Sequence, residues 1–183
     1  VPSVTLGVPH PSGAMWKRQW VDAVDHFGHH GRARHGQAFA LIQNVGRGLA
    51  IYGSRDWADY TVSTKLSPHL AQACGVAARV QGLRRYCALV LAHTAGRRVA
   101  RLIKLNDRET TLAEQPFDWT WSSQTEYDLR LTVQGDRIIA AIDGKTLFDV
   151  RDSQNPIESG NIALLVDEGR IGFGPIAIQP VFG

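Results

Sequence analysis

Cys74-Gly-Val-Ala-Ala-Arg-Val80 and Tyr86-Cys-Ala-Leu-Val-Leu-Ala-His93, joined by Gln81-Gly-Leu-Arg-Arg85, read as two strands folded back on each other. If Val80 lies opposite Arg85, a period of two places Cys74, Val76 and Ala78 against Leu91, Leu89 and Cys87, which makes one apolar face. The reverse face carries Gly75, Ala77 and Ala88 and ends in a cross-strand Arg79/Tyr86 pair. Small side chains beside a guanidinium and a phenol make a floor on which a polar, ring-shaped ligand can rest.

The same alternation runs through most of the chain. Strand-like segments fall at about 38–43, 49–52, 57–66, 98–105, 110–113, 127–133, 137–142, 146–150, 160–166 and 170–178, divided by the turn pairs Gly135-Asp136, Asp143-Gly144 and Glu168-Gly169. A turn at Gly135-Asp136 sets Val133 against Ile138, Leu131 against Ala140 and Leu129 against Ile142, a second apolar face. Ahead of these strands, Trp16, Trp20, Val24 and Phe27 recur at helical spacing between Ser12 and Gly28, which predicts one short amphipathic helix. The expected fold is therefore all-β, an antiparallel β-sandwich of jelly-roll kind. Residues 1–36 form an arm, helix and loop packed on it, and residues 37–183 form the sandwich.

Bulk properties narrow the class further. A chain of 183 residues with 44% hydrophobic and 20% charged residues can bury a two-layer core without staples. Its net charge of +3 comes from basic residues scattered along the sequence (Arg32, Arg55, Arg84, Arg130, Arg170), which argues against nucleic acid as a partner. No apolar run approaches the ~20 residues of a membrane-spanning helix. The chain opens on Val1 with neither Met nor a signal-like segment, which suggests a processed product or a piece of a longer protein. In the hairpin register Cys74 and Cys87 stand roughly 13 Å apart, beyond the ~7 Å Cα limit for a disulfide. Two buried free thiols favour a reducing, cytoplasmic setting.

Trp57-Ala-Asp-Tyr60, Gly75-Val-Ala-Ala-Arg79, Arg85-Tyr86, Leu112-Ala113, Phe117-x-Trp119, Ile142-Asp143-Gly144 and Gly160-x-Ile162-Ala163-Leu164, in that order, resemble the concanavalin A-like (laminin G/lectin-like) sandwich family. The nearest likeness is to the non-catalytic domain that follows the catalytic part of some bacterial ADP-ribosylglycohydrolase proteins. It spans residues 46–180. The resemblance implies a curved sandwich whose concave sheet holds a glycan or ADP-ribose-like ligand, a parent catalytic domain as partner, and in some relatives a structural calcium ion.

Catalysis by this chain is not expected. Sugar cleavage on this fold needs paired carboxylates, commonly Glu-x-Asp-x-Glu on one strand, and no such triplet occurs; Glu126 and Asp128 lie opposite the inward set Tyr127, Leu129, Leu131. The histidines His26, His29, His30 and His35 fit no zinc-ligand spacing. Asp22, Asp25, Asp149 and Asp152 offer oxygens for calcium without an EF-hand pattern. For ligand binding, Arg79 is either a bidentate clamp or a guanidinium that snorkels to solvent or bonds a loop carbonyl, with Tyr86 beside it. A two-residue turn at Ala95-Gly96 brings Arg101 onto the same face, whereas a bulge brings Lys104. The cost of burying an ammonium beside Cys87 favours Lys104 on the open face. Trp119, alternating with Phe117 and Trp121, is either a stacking platform or a plug closing the sandwich, the plug being the more usual fate of so large a ring. The functional expectation is a non-catalytic, lectin-like accessory domain, with a purely structural or oligomerisation module as the alternative.

Overall fold

The computed structural model describes residues 1–7, 19–29 and 37–183. Among the described residues there are thirteen strands and no α-helix: β1 (Val4–Leu6), β2 (Trp20–Ala23), β3 (His26–His29), β4 (Phe39–Tyr52), β5 (Tyr60–Ser67), β6 (Ala73–Gly82), β7 (Arg85–Thr94), β8 (Arg97–Asn106), β9 (Arg108–Pro116), β10 (Tyr127–Gln134), β11 (Arg137–Ile142), β12 (Lys145–Arg151) and β13 (Asn161–Pro180). The long strand β13 belongs to both layers. Its residues 161–167 lie between β4 and β6, and 172–180 pair with β5. The register breaks between, at Asp167/Gly169 and Phe173/Ile176, are where the strand turns from one layer to the other. The front layer runs β4-β13-β6-β7-β8-β9 and the back layer β13-β5-β10-β11-β12.

Both expected hairpin registers are present. Cys74 faces Leu91, Val76 faces Leu89 and Ala78 faces Cys87; Leu129, Leu131 and Val133 face Ile142, Ala140 and Ile138. These residues join Leu41, Tyr60, Val62, Leu164 and Ile178 in the core between the layers. Both cysteines are buried and unbonded to each other.

The helix expected over residues 12–28 is not formed where the chain is described; residues 12–18, Trp16 among them, lie outside the described residues. Trp20 pairs with Tyr52 and Phe27 with Leu41, so both segments extend the edge of β4. Trp20 and Phe27 are buried, their rings 5.1 Å apart and each against Phe39. Strand pairing buries the same two rings that a helix face would and also satisfies the free N–H and C=O groups of β4, which a helix cannot.

Beyond Ala78 the main hairpin departs from the expected register. Gly82, not Val80, faces Arg85, so β6 carries two extra residues in a bulge that starts at Arg79, whose φ is +53°. That conformation turns Arg79 away from Tyr86 and into the protein, where it is 2% exposed. Its Nε donates to Ala58 O (3.1 Å), Nη1 to Gly135 O (2.6 Å) and Ile157 O (2.8 Å), and Nη2 to Asp59 Oδ1 (3.1 Å). Its backbone N–H donates to the Tyr60 hydroxyl at 2.6 Å, which in turn donates to Gly160 O and Asn161 O at 3.0 Å each. Gly160 (φ +149°) must be glycine, because a Cβ there would stand 2.4 Å from the Arg79 carbonyl carbon.

Arg79→Met is expected to cost about 3–5 kcal/mol, since it strands the buried Ile157 carbonyl, removes the donors to the Ala58 and Gly135 carbonyls, and leaves Asp59 without its cation. Arg79→Lys is expected to recover only part of this, because an ammonium cannot span acceptors set for a planar fork. Urea unfolding of the two variants measures both.

Candidate functional site

The front layer's outer face carries a second apolar cluster: Leu49 and Ile51 of β4, Ala163 and Leu165 of β13, Ala77 of β6, Tyr86, Ala88 and Val90 of β7, and Ile103 of β8. In a flat sheet the five strand intervals from β4 to β9 would span about 24 Å. Yet Arg47 of β4 reaches Glu109 of β9, Nη1 to Oε2 being 3.0 Å. The front layer is therefore strongly curled, and this face is concave.

Arg47 is the centre of the concave face. It forms a two-pronged pair with Asp167, Nε to Oδ1 at 2.6 Å and Nη2 to Oδ2 at 2.7 Å, and its Nη1 also donates to the Tyr86 hydroxyl at 3.0 Å. Asp167 is directly across β13 from Arg47, whereas Tyr86 starts near the far end of β7, opposite Leu105. To meet Arg47 the phenol leans back along the sheet, over the cluster that holds Ala77 and Ala88. The small side chains expected to be a bare floor for a ligand are thus the bed of the protein's own Tyr86 ring. Gly75 has a different cause: a Cβ there would stand 1.9 Å from the Leu89 carbonyl oxygen.

Alongside this centre runs an open cleft of about 440 Å³ lined by Gly46, Gln72, Leu83, Leu105 and Glu168 as well as Arg47, Tyr86 and Asp167. Burial opposes the charge on Arg47, but the hydrogen bond and charge of Asp167 outweigh it and hold the guanidinium protonated. Burial likewise pushes the Tyr86 phenol up; Arg47 pulls it back, while Asp167 and Glu109 add to the rise. The neutral hydroxyl accepts from Arg47, and the Tyr86 side chain is buried, 0% exposed. Glu109 uses one oxygen on Arg47, and Glu168 uses one on the Gly46 N–H. The cleft therefore presents an amide (Gln72) next to carboxylate acceptors, with aliphatic Leu83 and Leu105 at one end.

Of the five residues expected to bind ligand, Tyr86 alone lines this cleft. Arg79 is the internal tie described above. Arg101 reaches the outer face, because Ala95-Gly96 makes a two-residue turn with Thr94 facing Arg97, but it is engaged by Glu114 at 2.6 Å. The same turn sends Lys104 inward, against the expectation that it lies on the open face. The ammonium is buried because it has three acceptors: Asp152 Oδ1 (2.8 Å), Gln154 O (2.7 Å) and Asn155 O (2.9 Å), which join β8 to the segment after β12. Trp119 is a plug, 0% exposed, with the Arg98 guanidinium 5.8 Å from its ring and 5.1 Å from that of Trp121. Sequence reasoning passed over Arg47, Glu109 and Asp167. The only signal was an Arg between two glycines in one segment and Asp-Glu-Gly in another, and nothing short of the β4–β13 register joins them.

The four aspartates considered for calcium do not converge. Asp149 is paired with Arg137 and Asp152 with Lys104, and Asp25 accepts from the Asn44 N–H. Among the described residues no group of His, Cys, Asp and Glu is placed to hold a metal ion; His30 and His35 lie outside them. Glu126 and Asp128 are exposed and line a separate groove with Lys65 on the back layer.

No protein-family model matches the sequence, and no curated protein is similar to it. Solved structures share the fold. The carbohydrate-binding module CBM66 from Bacillus subtilis superposes with a TM-score of 0.72 at 15% identity, covering 88% of this chain and 95% of that one. A Bacillus subtilis protein of unknown function with a galectin-like fold gives 0.69 at 12% identity over 97% and 94%. Domain 4 of AbnA, an extracellular GH43 arabinanase from Geobacillus stearothermophilus in complex with arabinotriose, gives 0.55 at 10% identity over 89% and 82%. The chain is thus a jelly-roll sandwich of the kind seen in galectin-like and carbohydrate-binding domains, and at these identities the likeness is one of fold.

Two tests follow from the buried groups. Lys104→Met is expected to destabilise by about 3–5 kcal/mol by leaving Asp152 uncompensated, and Lys104→Met with Asp152→Leu to recover most of that loss; denaturant unfolding of the single and double variants decides it. Burial, with Asp152 adding to it, pushes the Cys87 thiol up to about 12 from 9.0, and burial with Asp167 raises Cys74 as well. A raised thiol favours the folded state fully below its unfolded value, and that contribution is lost as the pH climbs. Stability is therefore expected to fall between pH 9.0 and about 12, by up to about 1.4 kcal/mol per pH unit for each thiol. Replacing both cysteines with Ala should flatten that alkaline limb.

Proposed function

We propose that this chain is a non-catalytic, lectin-like domain that binds a neutral glycan in the cleft beside Arg47, Tyr86 and Asp167. The observation that carries this reading is the unused hydrogen-bonding capacity gathered there: the Gln72 amide and the second oxygens of Glu109 and Glu168. Adjacent sugar hydroxyls need donors and acceptors side by side, and the apolar face of a sugar ring needs aliphatic contact such as Leu83 and Leu105 supply. Arg47 is already matched by Asp167 and Glu109, so the cleft has acid to spare and disfavours phosphate or carboxylate. That places a neutral glycan ahead of an ADP-ribose-like ligand, whose pyrophosphate would face three carboxylates. Support from outside the chain comes from fold relatives whose names state carbohydrate binding or a bound arabinotriose.

Asp167 and Glu109 both face one guanidinium, an arrangement suited to holding hydroxyls. Hydrolysis instead needs an acid and a base on opposite sides of a bond. The role as an accessory to a larger ADP-ribosylglycohydrolase-like protein rests on the sequence resemblance, and the identity of the upstream coding sequence tests it.

Calorimetry against neutral oligosaccharides, arabinan fragments included, is expected to give dissociation constants of about 0.1–1 mM, because an open cleft buries little of the ligand. Tyr86→Phe, which keeps the ring and removes the hydroxyl that helps to hold Arg47, is expected to weaken binding about five- to tenfold. Glu109→Gln should weaken it without unfolding the chain. An absence of heat across neutral glycans, or unchanged affinity in both variants, rejects the reading.

A further inference from the structure

The hairpin ends that close one edge of the glycan cleft carry, on their other side, a group of cations that the cleft does not use. Arg85 of β7 pairs with Asn106 of β8, and Asn106 with Arg108 of β9, so three polar side chains stand in one cross-strand row. Like charges so placed repel each other. Neither the Arg85 nor the Arg108 side chain has a hydrogen bond or ion pair among the described residues, and the Asn106 side-chain amide has no partner there either. Arg108 is exposed and Arg85 is half-buried. The Nε of Arg85 is shielded from water and has no acceptor, an arrangement that costs free energy unless something outside the chain supplies one. Arg84 lies next to the row, paired with Asp107 at 3.3 Å where both are mostly exposed. Arg55 leans over the same hairpin, Nη2 3.5 Å from Gln81 O. Four arginines against one aspartate thus gather at a single end of the front layer, although in the sequence they are spread from 55 to 108.

We propose that the Arg85–Asn106–Arg108 row is an anion site that takes a tetrahedral oxyanion, a sulfate or phosphate group. Two guanidinium forks and an amide supply donors to several oxygens at once, and the negative charge relieves the repulsion between the forks. The donor N–H of Arg85 gains the acceptor it lacks. The site is distinct from the glycan cleft, since Tyr86, Leu105 and Glu109 alternate with the row and face the opposite way along the same strands.

Thermal unfolding of the full chain in increasing inorganic phosphate or sulfate, with ionic strength held constant by chloride, tests it. A saturable rise in Tm is expected for the wild type. In Arg108→Ala, an exposed position whose loss should not lower the Tm in chloride, the apparent affinity is expected to fall about tenfold; Arg85→Ala should lose the response. Tyr86→Phe, altered in the glycan cleft, should keep it in full. A sulfated oligosaccharide that binds more tightly than inorganic sulfate, and only with Arg85 and Arg108 present, assigns the group to a saccharide; equal binding assigns it to the free ion. No Tm rise beyond that in chloride, an unaltered response in both arginine variants, or loss of the response in Tyr86→Phe overturns the proposal.

Discussion

The burial of one guanidinium sets the geometry of much of this molecule. Arg79 can sit inside the protein because its donors meet carbonyls from three separate segments and one carboxylate, and because the Tyr60 hydroxyl holds its backbone N–H. A buried cation without such partners would be prohibitively unstable. The partners come from the approach to β5, the β10–β11 turn and the segment before β13, so the same interaction joins the front layer to the back. It also requires the bulge in β6. By consuming two residues of β6, the bulge removes the strand partner expected opposite Tyr86 and leaves that ring free to lie along the sheet toward Arg47.

The concave face depends on a second guanidinium used in the opposite manner. Arg47 is only partly covered and bridges strands at the two sides of the curled layer. It orders acceptors and a phenol around itself without being fully shielded from solvent. Curvature makes this possible, because side chains five strands apart can meet only across a concave surface. The apolar cluster beneath them, from Leu49 to Ile103, supplies burial to a face that an open sheet would leave to water.

Charge is segregated by the alternation of the strands. On β7, β8 and β9, Tyr86, Leu105 and Glu109 point to the acidic cleft, while Arg85, Asn106 and Arg108 point the other way. A chain whose net charge is only +3 thereby presents an acid-rich surface and a base-rich one within a single pair of hairpins. Neither property is visible in the sum, because the period of two distributes neighbours in sequence to opposite faces.

The sequence by itself determined the all-β class, the two hairpin registers around Cys74–Leu91 and Leu129–Ile142, and the burial of both thiols. Each of these follows from a period of two read within a single turn's reach. It misjudged residues 20–28, where Trp20 and Phe27 fit a helical stripe as well as two strands and the choice was made by the open edge of β4. Of the residues it named for a ligand, Tyr86 is the one that lines the concave cleft. Arg79, Lys104 and Trp119 were assigned by parity as candidates for a ligand. Their burial was decided by carbonyls and carboxylates from segments 20 to 78 residues away and, for Trp119, by packing against the core. The pairing of Arg47 with Asp167, 120 residues apart, arises only when β13 docks between β4 and β6, and so the cleft is a product of tertiary structure.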